Sequence, residues 1–580
     1  MGSVDIRAKE VVDLGNIDVS STWHHFMLLF ALLLGQGVTY THSGLIEFSL
    51  GKFQEIYLIK NVSFEAILQN IPENVTYIIF QVHTQHTNTT ISFNKISTRE
   101  TSKTGEDTGL LLRLKPKQST SVLYVDSFNQ SVSASAAILP YNEKDPVPGG
   151  CNLGFDLTHD PNLYLQYNLY EAILKFVPAN LGYPRGISTP SCDFDSGQNY
   201  RLRYDIYQYF MPENNLREDV IYTLLPKMAH VQQIEEDGIW LLSLSSQDKK
   251  SVTLSSIPGQ GVIYNIIVRD LILNTSAPYI PVHTYACSFT AKMDNCYTLK
   301  RISTRILFVS VGFAGLFICF FGHRFLKVEL FFIGFILSSF LFFVLITRTT
   351  SLDYDIRLGL AALVGFVGGS LLLTCWWRSG SVVFCMALVG LVFGFLCSSL
   401  FFFTPFGYLK IFHVDSIFWV IFLCVVLLVP LPFIKYPRAL NITTCGFVGS
   451  YAVILAINSF VYTSLAYITL NIIKRALNDN FNTAYTNVPF QMLDYIMLTV
   501  WVVLFVSGVV LQFHRERNQP LFPSNPYETW KRDRERRQTN ILDPSHHIPP
   551  LKERMKSSMT LLTQVFTKEP SAGESTPLLL

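Results

Sequence analysis

The run ILFVSVGFAGLFICFFG, residues 306–322, carries no charge, and LFFIGFILSSFLFFVLI follows it at 330–346. Further apolar blocks lie at 358–377, 381–403, 417–434, 440–462 and 494–513. About 20 apolar residues rising 1.5 Å each cross a hydrocarbon layer of about 30 Å. In lipid, a helix is the state that satisfies every backbone N–H and C=O from within. The seven blocks therefore predict an all-α transmembrane bundle over 306–513, the two shortest recruiting flanking residues. Membrane lipid is the first partner this pattern demands.

The full chain has 580 residues, 49% of them hydrophobic, with a net charge of +2. That balance suits a protein half in and half out of a membrane. It gives no global field for nucleic acid. Upstream of the bundle, Phe26 to Leu34 is an apolar run followed by Gly35 and Gly37. It is too short to span and suits signal-peptidase cleavage, so 1–37 is read as a signal peptide. Its leading region is atypical, with Asp5, Glu10, Asp13 and Asp18 against Arg7 and Lys9.

Between the two lies a stretch rich in short alternating or β-branched runs. In 38–145 they fall at 45–50, 76–82, 90–93, 110–114, 121–125 and 131–139. In 146–305 they fall at 164–169, 172–177, 200–210, 239–244, 251–254 and 261–268. The turn-rich DPVPGGC at 145–151 separates the sets, because Pro lacks the donor and Gly weakens pairing. The pattern predicts a β-rich ectodomain of two β-sandwich modules, with a single larger sandwich as the alternative. One helix is expected over 218–235.

Asn61, Asn74, Asn88, Asn129 and Asn274 each open an Asn-x-Ser/Thr triplet. Behind a signal peptide they are candidate glycosylation sites at strand ends or loops. Asn441 fits the triplet too, but it starts the sixth span and is expected to stay unmodified. Cys151, Cys192, Cys287 and Cys296 precede the spans and suggest two disulfides, with Cys151–Cys192 and Cys287–Cys296 favoured for proximity. The remaining cysteines sit in the spans as small apolar residues. His83 and His86 lack any Cys or Asp spacing for a metal site and read as solvated strand histidines. The tyrosines between 204 and 210 read as sheet core rather than a binding face. No nucleophile elbow or phosphate loop occurs, so the chain reads as non-enzymatic, without cofactor or metal.

A cleaved signal and seven spans put the N-terminus in the lumen or outside and the tail, 514–580, in the cytosol. The positive charges agree in part: Arg324, Lys327, Arg378, Lys435, Arg438, Arg515 and Arg517 fall inside, while Arg301, Arg305, Arg348, Arg357, Lys474 and Arg475 do not. Gly390 and Gly394 form a G-x-x-x-G read as close helix packing, with a homodimer interface as the other use. Glu329, Asp494 and Arg378 stand at span ends, and Asn458 is the most polar interior group, which weighs against a pump or proton-coupled transporter. A G-protein-coupled receptor is disfavoured. Trp376-Trp377-Arg378 has no acid before the arginine, and the outer loops hold no cysteine.

In the tail, prolines at 520, 523 and 526 are expected to break structure ahead of a basic run at 531–537, held near anionic lipid. Leu551, Met555, Met559, Leu562 and Phe566 suggest a short amphipathic helix. Glu574, Leu578 and Leu579 resemble an acidic dileucine sorting signal, whose partners are clathrin adaptors. The working membrane is then the plasma membrane or endosome and lysosome; the alternative is the endoplasmic reticulum or nuclear envelope.

Several strings are specific: DPVPGGCNL at 145–153, PANLGY at 178–183, IPGQGVIYN at 257–265, ICFFGHRF at 318–325, ELFFIGFI at 329–336, TNILDPSHHIPPL at 539–551 and TPLLL at 576–580. Through them the chain resembles the transmembrane seven superfamily member three family. Its membrane block looks like the domain shared with the transmembrane protein one-nine-eight family. The resemblance implies a glycosylated, non-enzymatic membrane protein that damps protein-folding stress and supports cell survival and insulin secretion. Two rival readings stand beside it: an atypical orphan receptor signalling through the tail, and a channel or lipid transporter. The lumenal or extracellular partner is not named by any residue.

Overall fold

A computed structural model describes residues 44–539, except 153, 155, 169, 193–197, 214, 288–300, 434, 462, 520, 521 and 523–525. The expected signal peptide, Cys296, the amphipathic stretch and the sorting motif lie outside the described residues. The chain divides into two compact units. One holds the β modules together with Thr483–Pro489, and the other holds the helices.

The first module contains β1(Leu45–Phe48), β2(Phe53–Leu58), β3(Ser63–Leu68), β4(Val75–His83), β5(Thr89–Ser92), β6(Ser102–Gly105), β7(Asp107–Arg113), β8(Ser121–Asp126) and β9(Val132–Asn142). They form a sheet in the order β1-β3-β8-β5-β6 and another in the order β2-β9-β4-β7. The second module contains β10(Leu163–Tyr167), β11(Glu171–Phe176), β12(Leu202–Phe210), β13(Ile239–Ser245), β14(Ser251–Ser255), β15(Val262–Asp270), β16(Thr275–Pro278) and β17(Val282–Thr284). Its sheets run β10-β11-β14 and β13-β12-β15-β16, with β17 also on β15. The backbone of Tyr485 extends β14, accepting from Ser255 N–H and donating to Thr253 O.

The two modules share a core. Every residue of β4 is buried, so its run VTYIIFQVH reads almost continuously apolar. Side chains alternate across a strand, and here both faces are used. Ile78, Phe80 and Val82 enter the first module's core. Tyr77 and Ile79 enter the second's, beside Leu174, Tyr204, Ile266 and Tyr279. The strand β9 does the same, with Ala136 and Ile138 on one side and Ala137 and Leu139 on the other. The tyrosines at 204 and 207 are buried, in line with the core reading. Strand β15 repeats the device: Ile266 and Val268 face the shared core, and Ile263 and Ile267 face a helical cover.

That cover is not one helix over 218–235. It is α1(Glu218–Leu224), a 3-10 turn at Leu225–Met228 and α2(Val231–Asp237). Pro226 lacks the N–H that a continuous helix needs.

Among the described residues, seven helices are long and apolar enough to cross a membrane: Ile302–Phe321, Leu326–Thr349, Tyr354–Ser379, Val382–Phe403, Asp415–Phe433, Pro437–Asn458 and Met492–Glu516. Small residues set their crossings. A Cβ on Gly315 would lie 2.6 Å from Ala452 Cβ, which holds the first and sixth spans together. A Cβ on Gly394 would lie 2.1 Å from Val426 O, and one on Gly390 2.8 Å from Pro430 Cβ. The G-x-x-x-G face is thus covered by the fifth span of the same chain. Pro526 does not break the tail; it opens a helix, Pro526–Thr539, as proline does at a first helical position. Its Tyr527 and Trp530 stack near Trp377.

Candidate functional site

Two polar clusters stand out, one in each unit. The first lies in the seam between the β modules. Asp107 opens β7, His83 ends β4 and His283 sits in β17. The Asp107 carboxylate accepts from His83 Nδ1 at 2.7 Å, and from both the N–H and Nδ1 of His283 at 2.7 Å. His83 is therefore not a solvated strand histidine: its side chain is 0% exposed. His86 is exposed, as read, but stands in the loop between β4 and β5 rather than in a strand. The correction has a plain physical origin. The partners come from another strand and another module, beyond any local spacing.

Burial would raise the Asp107 pKa, but the His283 charge and the hydrogen bonds from both histidines outweigh it and hold the group well below its ordinary 3.8. Burial would lower His283, but the Asp107 charge and hydrogen bond raise it above 6.5. Beside them, burial raises Glu106 and lowers His86.

Further bonds continue the seam. The Asn162 amide donates to Gly109 O and accepts from Gly109 N–H, pairing like a short strand. A Cβ on Gly109 would lie 2.2 Å from Ile280 Cδ1, so glycine lets the modules close. Tyr77 donates to Pro146 O at 2.6 Å, and Tyr222 to Ser133 O at 2.6 Å. Arg113 lies 3.7 Å over the Tyr183 ring. The two modules make one body.

The five acceptor asparagines Asn61, Asn74, Asn88, Asn129 and Asn274 are all exposed. Asn61 and Asn274 sit at positive φ, 59° and 52°, in turns where asparagine is well tolerated. Asn441, by contrast, is buried at 0% exposure. Cys151 is joined to Cys192. Cys287 is also disulfide-bonded.

The second cluster is inside the helical block. Glu329, one turn into the second span, is 1% exposed rather than at a solvated end. Its Oε2 accepts from Asn441 Nδ2 at 2.9 Å, and the same Nδ2 lies 3.1 Å from His323 Nδ1. Gln512 of the seventh span accepts from His323 N–H at 3.2 Å and donates to Cys319 O at 2.7 Å. Glu329, not Asn458, is thus the interior group that matters. Asn458 accepts from Thr463 and closes a turn. Asp494 is a buried helix cap, accepting from Gln491 N–H and Ser464 N–H. The sequence signal for the cluster was an acid abutting the apolar FFIGFI, together with the Asn of a membrane sequon.

Comparison with known proteins gives three family matches. A "TM7SF3-like, N-terminal immunoglobulin-like domain" covers 44–141. A "TM7SF3-like, second immunoglobulin-like domain" covers 146–290. A "TM7S3/TM198-like domain" covers 308–513. The chain is 54% identical over 540 residues to human Transmembrane 7 superfamily member 3, covering 93% of this chain and 95% of that one. It is 51% identical over 564 residues to the Mus musculus protein of the same name, covering 96% of this chain and 100% of that one. A Bacteroides uniformis beta-glucuronidase 2 structure is 11% identical with a TM-score of 0.18, covering 38% of this chain and 26% of that one, a likeness too slight to argue from.

Proposed function

The chain belongs to the transmembrane 7 superfamily member 3 family of multi-pass membrane proteins, and from that premise we propose that it is a non-enzymatic protein whose ectodomain recognises a lumenal or extracellular protein. The observation that carries this is the seam. Two immunoglobulin-like modules locked by a shared core and the seam present one fixed surface, and pre-organised surfaces lose less entropy on binding. Five exposed acceptor asparagines on that body support a glycosylated, non-cytosolic face. Tyr485, which follows the sixth span in sequence, pairs with Thr253 and Ser255 of the ectodomain unit, which supports an N-terminus on the same side as that loop and a cytosolic tail. The cellular role is damping of protein-folding stress, with support of cell survival and insulin secretion. The Glu574, Leu578 and Leu579 motif sets the working compartment by engaging clathrin adaptors.

The test is rescue of cells lacking the protein after a block of lumenal folding. Wild type is expected to lower stress transcripts and cell death. A chain lacking 44–290 that reaches the same membrane should fail. Equal protection by that shortened chain would sink the ectodomain reading.

A further inference from the structure

We propose that a glycan on Asn274 covers an aliphatic hairpin tip of the ectodomain, so that this sugar chain is part of the folded surface and not only a coat. The inference rests on the glycosylated, non-cytosolic face argued above and gives one acceptor on it a specific task. Strands β15 and β16 stay paired as far as Asp270 and Thr275. The four residues between them are Leu271, Ile272, Leu273 and Asn274. The first three are 62%, 62% and 43% exposed. Single exposed aliphatics are ordinary on a protein surface, but a contiguous apolar patch marks something that binds there.

The turn itself does not need these side chains. Asp270 is 1% exposed and ties the tip from within. Its Oδ1 accepts from Ile272 N–H at 3.0 Å and from Leu273 N–H at 3.2 Å, the turn an aspartate makes with its own backbone. Its Oδ2 lies 2.7 Å from Arg201 Nη2, and Leu271 N–H donates to Arg201 O at 3.4 Å. Polar residues at 271–273 would close the same turn. Nor do the aliphatics feed a core: among the described residues, none of the ectodomain clusters includes them. The tip is a fixed apolar surface that the fold does not use.

Its cover is rooted in the same turn. Asn274 is exposed and opens the triplet Asn274-Thr275-Ser276. Its side-chain nitrogen bonds to the anomeric carbon of a lipid-diphosphate-linked oligosaccharide. The bond from that carbon to the diphosphate breaks, the lipid diphosphate leaves, and one amide hydrogen departs as a proton. The first sugar, an N-acetylglucosamine, carries C–H groups on its ring face and a methyl on its acetamide, with hydroxyls at the rim. Laid back over the tip, the ring face and methyl meet aliphatic carbon while the hydroxyls keep their water. A bulky, water-seeking chain next to Leu273 also argues against insertion of the tip into lipid. The coincidence recurs in the first module. Asn61 stands between Ile59 and Val62, and Asn129 follows Phe128, all three of them exposed. Asn61 N–H donates to Ser127 O, which brings those two acceptors to one edge. Among the described residues, Asn74 and Asn88 have no exposed large hydrophobic within three positions. The acceptors thus fall into two classes, and Asn274 has the largest apolar patch beside it.

The test uses the full-length protein, made in cells that glycosylate and held in lipid nanodiscs. Mass spectrometry of glycopeptides first reads the occupancy of each acceptor, and Asn274 should be occupied. Hydroxyl-radical footprinting then reads the exposure of Leu271, Ile272 and Leu273 before and after native removal of glycans by an amidase. These three should lose their protection when the glycan goes, while Ile239 and Trp240, exposed and without a nearby acceptor, should label equally in both samples. Ser276→Ala abolishes the triplet and leaves Asn274 in its turn, so its tip should label like that of the enzyme-treated protein. Should that variant fail to fold, the enzyme-treated wild type answers alone. An unglycosylated Asn274 beside occupied acceptors elsewhere would overturn the cover and leave the non-cytosolic face standing. Glycans at none of the five would overturn both. Protection that survives glycan removal would mean that lipid or protein covers the tip, and would overturn the proposal as well.

Discussion

Asp107 and Glu329 both carry carboxyl groups almost wholly removed from solvent, one between two β modules and one among membrane-spanning helices. Asp107 collects three N–H donors from two histidines. Glu329 collects one N–H and a thiol, and an oxygen is left over. Equal burial therefore gives unequal roles. The saturated carboxylate is a fastener, since any change in its protonation breaks bonds. The undersaturated one keeps an oxygen with no bond to lose. What distinguishes the two acids here is the number of donors, not the depth.

The widest gap between the two should open on removal of charge. Asp107→Ala strips the acceptor from three buried N–H groups and is expected to destabilise the ectodomain by about 3–5 kcal/mol. Glu329→Gln should cost less than about 1 kcal/mol, because it removes a charge that was short of partners. Thermal unfolding of full-length protein, followed by protease cleavage in 146–290 and in 306–513 separately, measures both. Similar losses for the two would collapse the distinction.

The next effect separates packing within one chain from packing between chains. Gly394→Ala places a Cβ 2.1 Å from Val426 O, a backbone atom that cannot step aside. Overpacking of this kind costs about 1–3 kcal/mol. Gly359→Ala meets nothing within 4 Å and should leave the melting temperature unchanged or slightly raised. If Gly394→Ala instead changed only the oligomer mass in detergent, the G-x-x-x-G would serve a second copy rather than the fifth span.

The sequence disclosed the spans because lipid demands long apolar helices, and the strands because alternation and turn chemistry are local. It hid the rest for reasons that differ by region. β4 looked like one more strand, yet its lack of polar alternation already indicated burial on both faces. His83 could not be paired from the sequence, because Asp107 and His283 reach it only through the sheet and the module seam. Strands β2, β3, β6, β16 and β17 went unread; they are short, or mix charges with apolar residues, as in FQEIYL. Glu329 stood next to an apolar block and looked like its edge, but the helix begins earlier, at Leu326. Asn441 matched a glycosylation triplet, and that surface motif masked an interior amide. Gly390 and Gly394 were legible as a packing face, though not as to which helix they would meet.

The smallest effect is the pH response of the seam, and its sign follows from two opposed shifts. The folded His283 pKa is raised above 6.5, so its contribution is fully present below 6.5 and is lost as pH climbs through the raised value. The folded Asp107 value lies below 3.8, so its contribution is present above 3.8 and is lost as pH falls toward the depressed value. Between them the fastener is at full strength. Burial lowers His86, His159 and His230, which work the other way and weaken the fold as pH falls below 6.5. Total stability therefore mixes signs. The difference between wild type and His283→Gln cancels the shared histidines and isolates the seam. That difference should hold steady from about pH 4 to 6.5 and shrink above it, by at most about 1.4 kcal/mol per pH unit. Urea unfolding of the two proteins at matched pH reads it directly. A difference that grew above pH 6.5 would mean that His283 binds Asp107 as a neutral ring, and the fastener would then be a hydrogen-bond device like the Glu329 cluster rather than an ion pair.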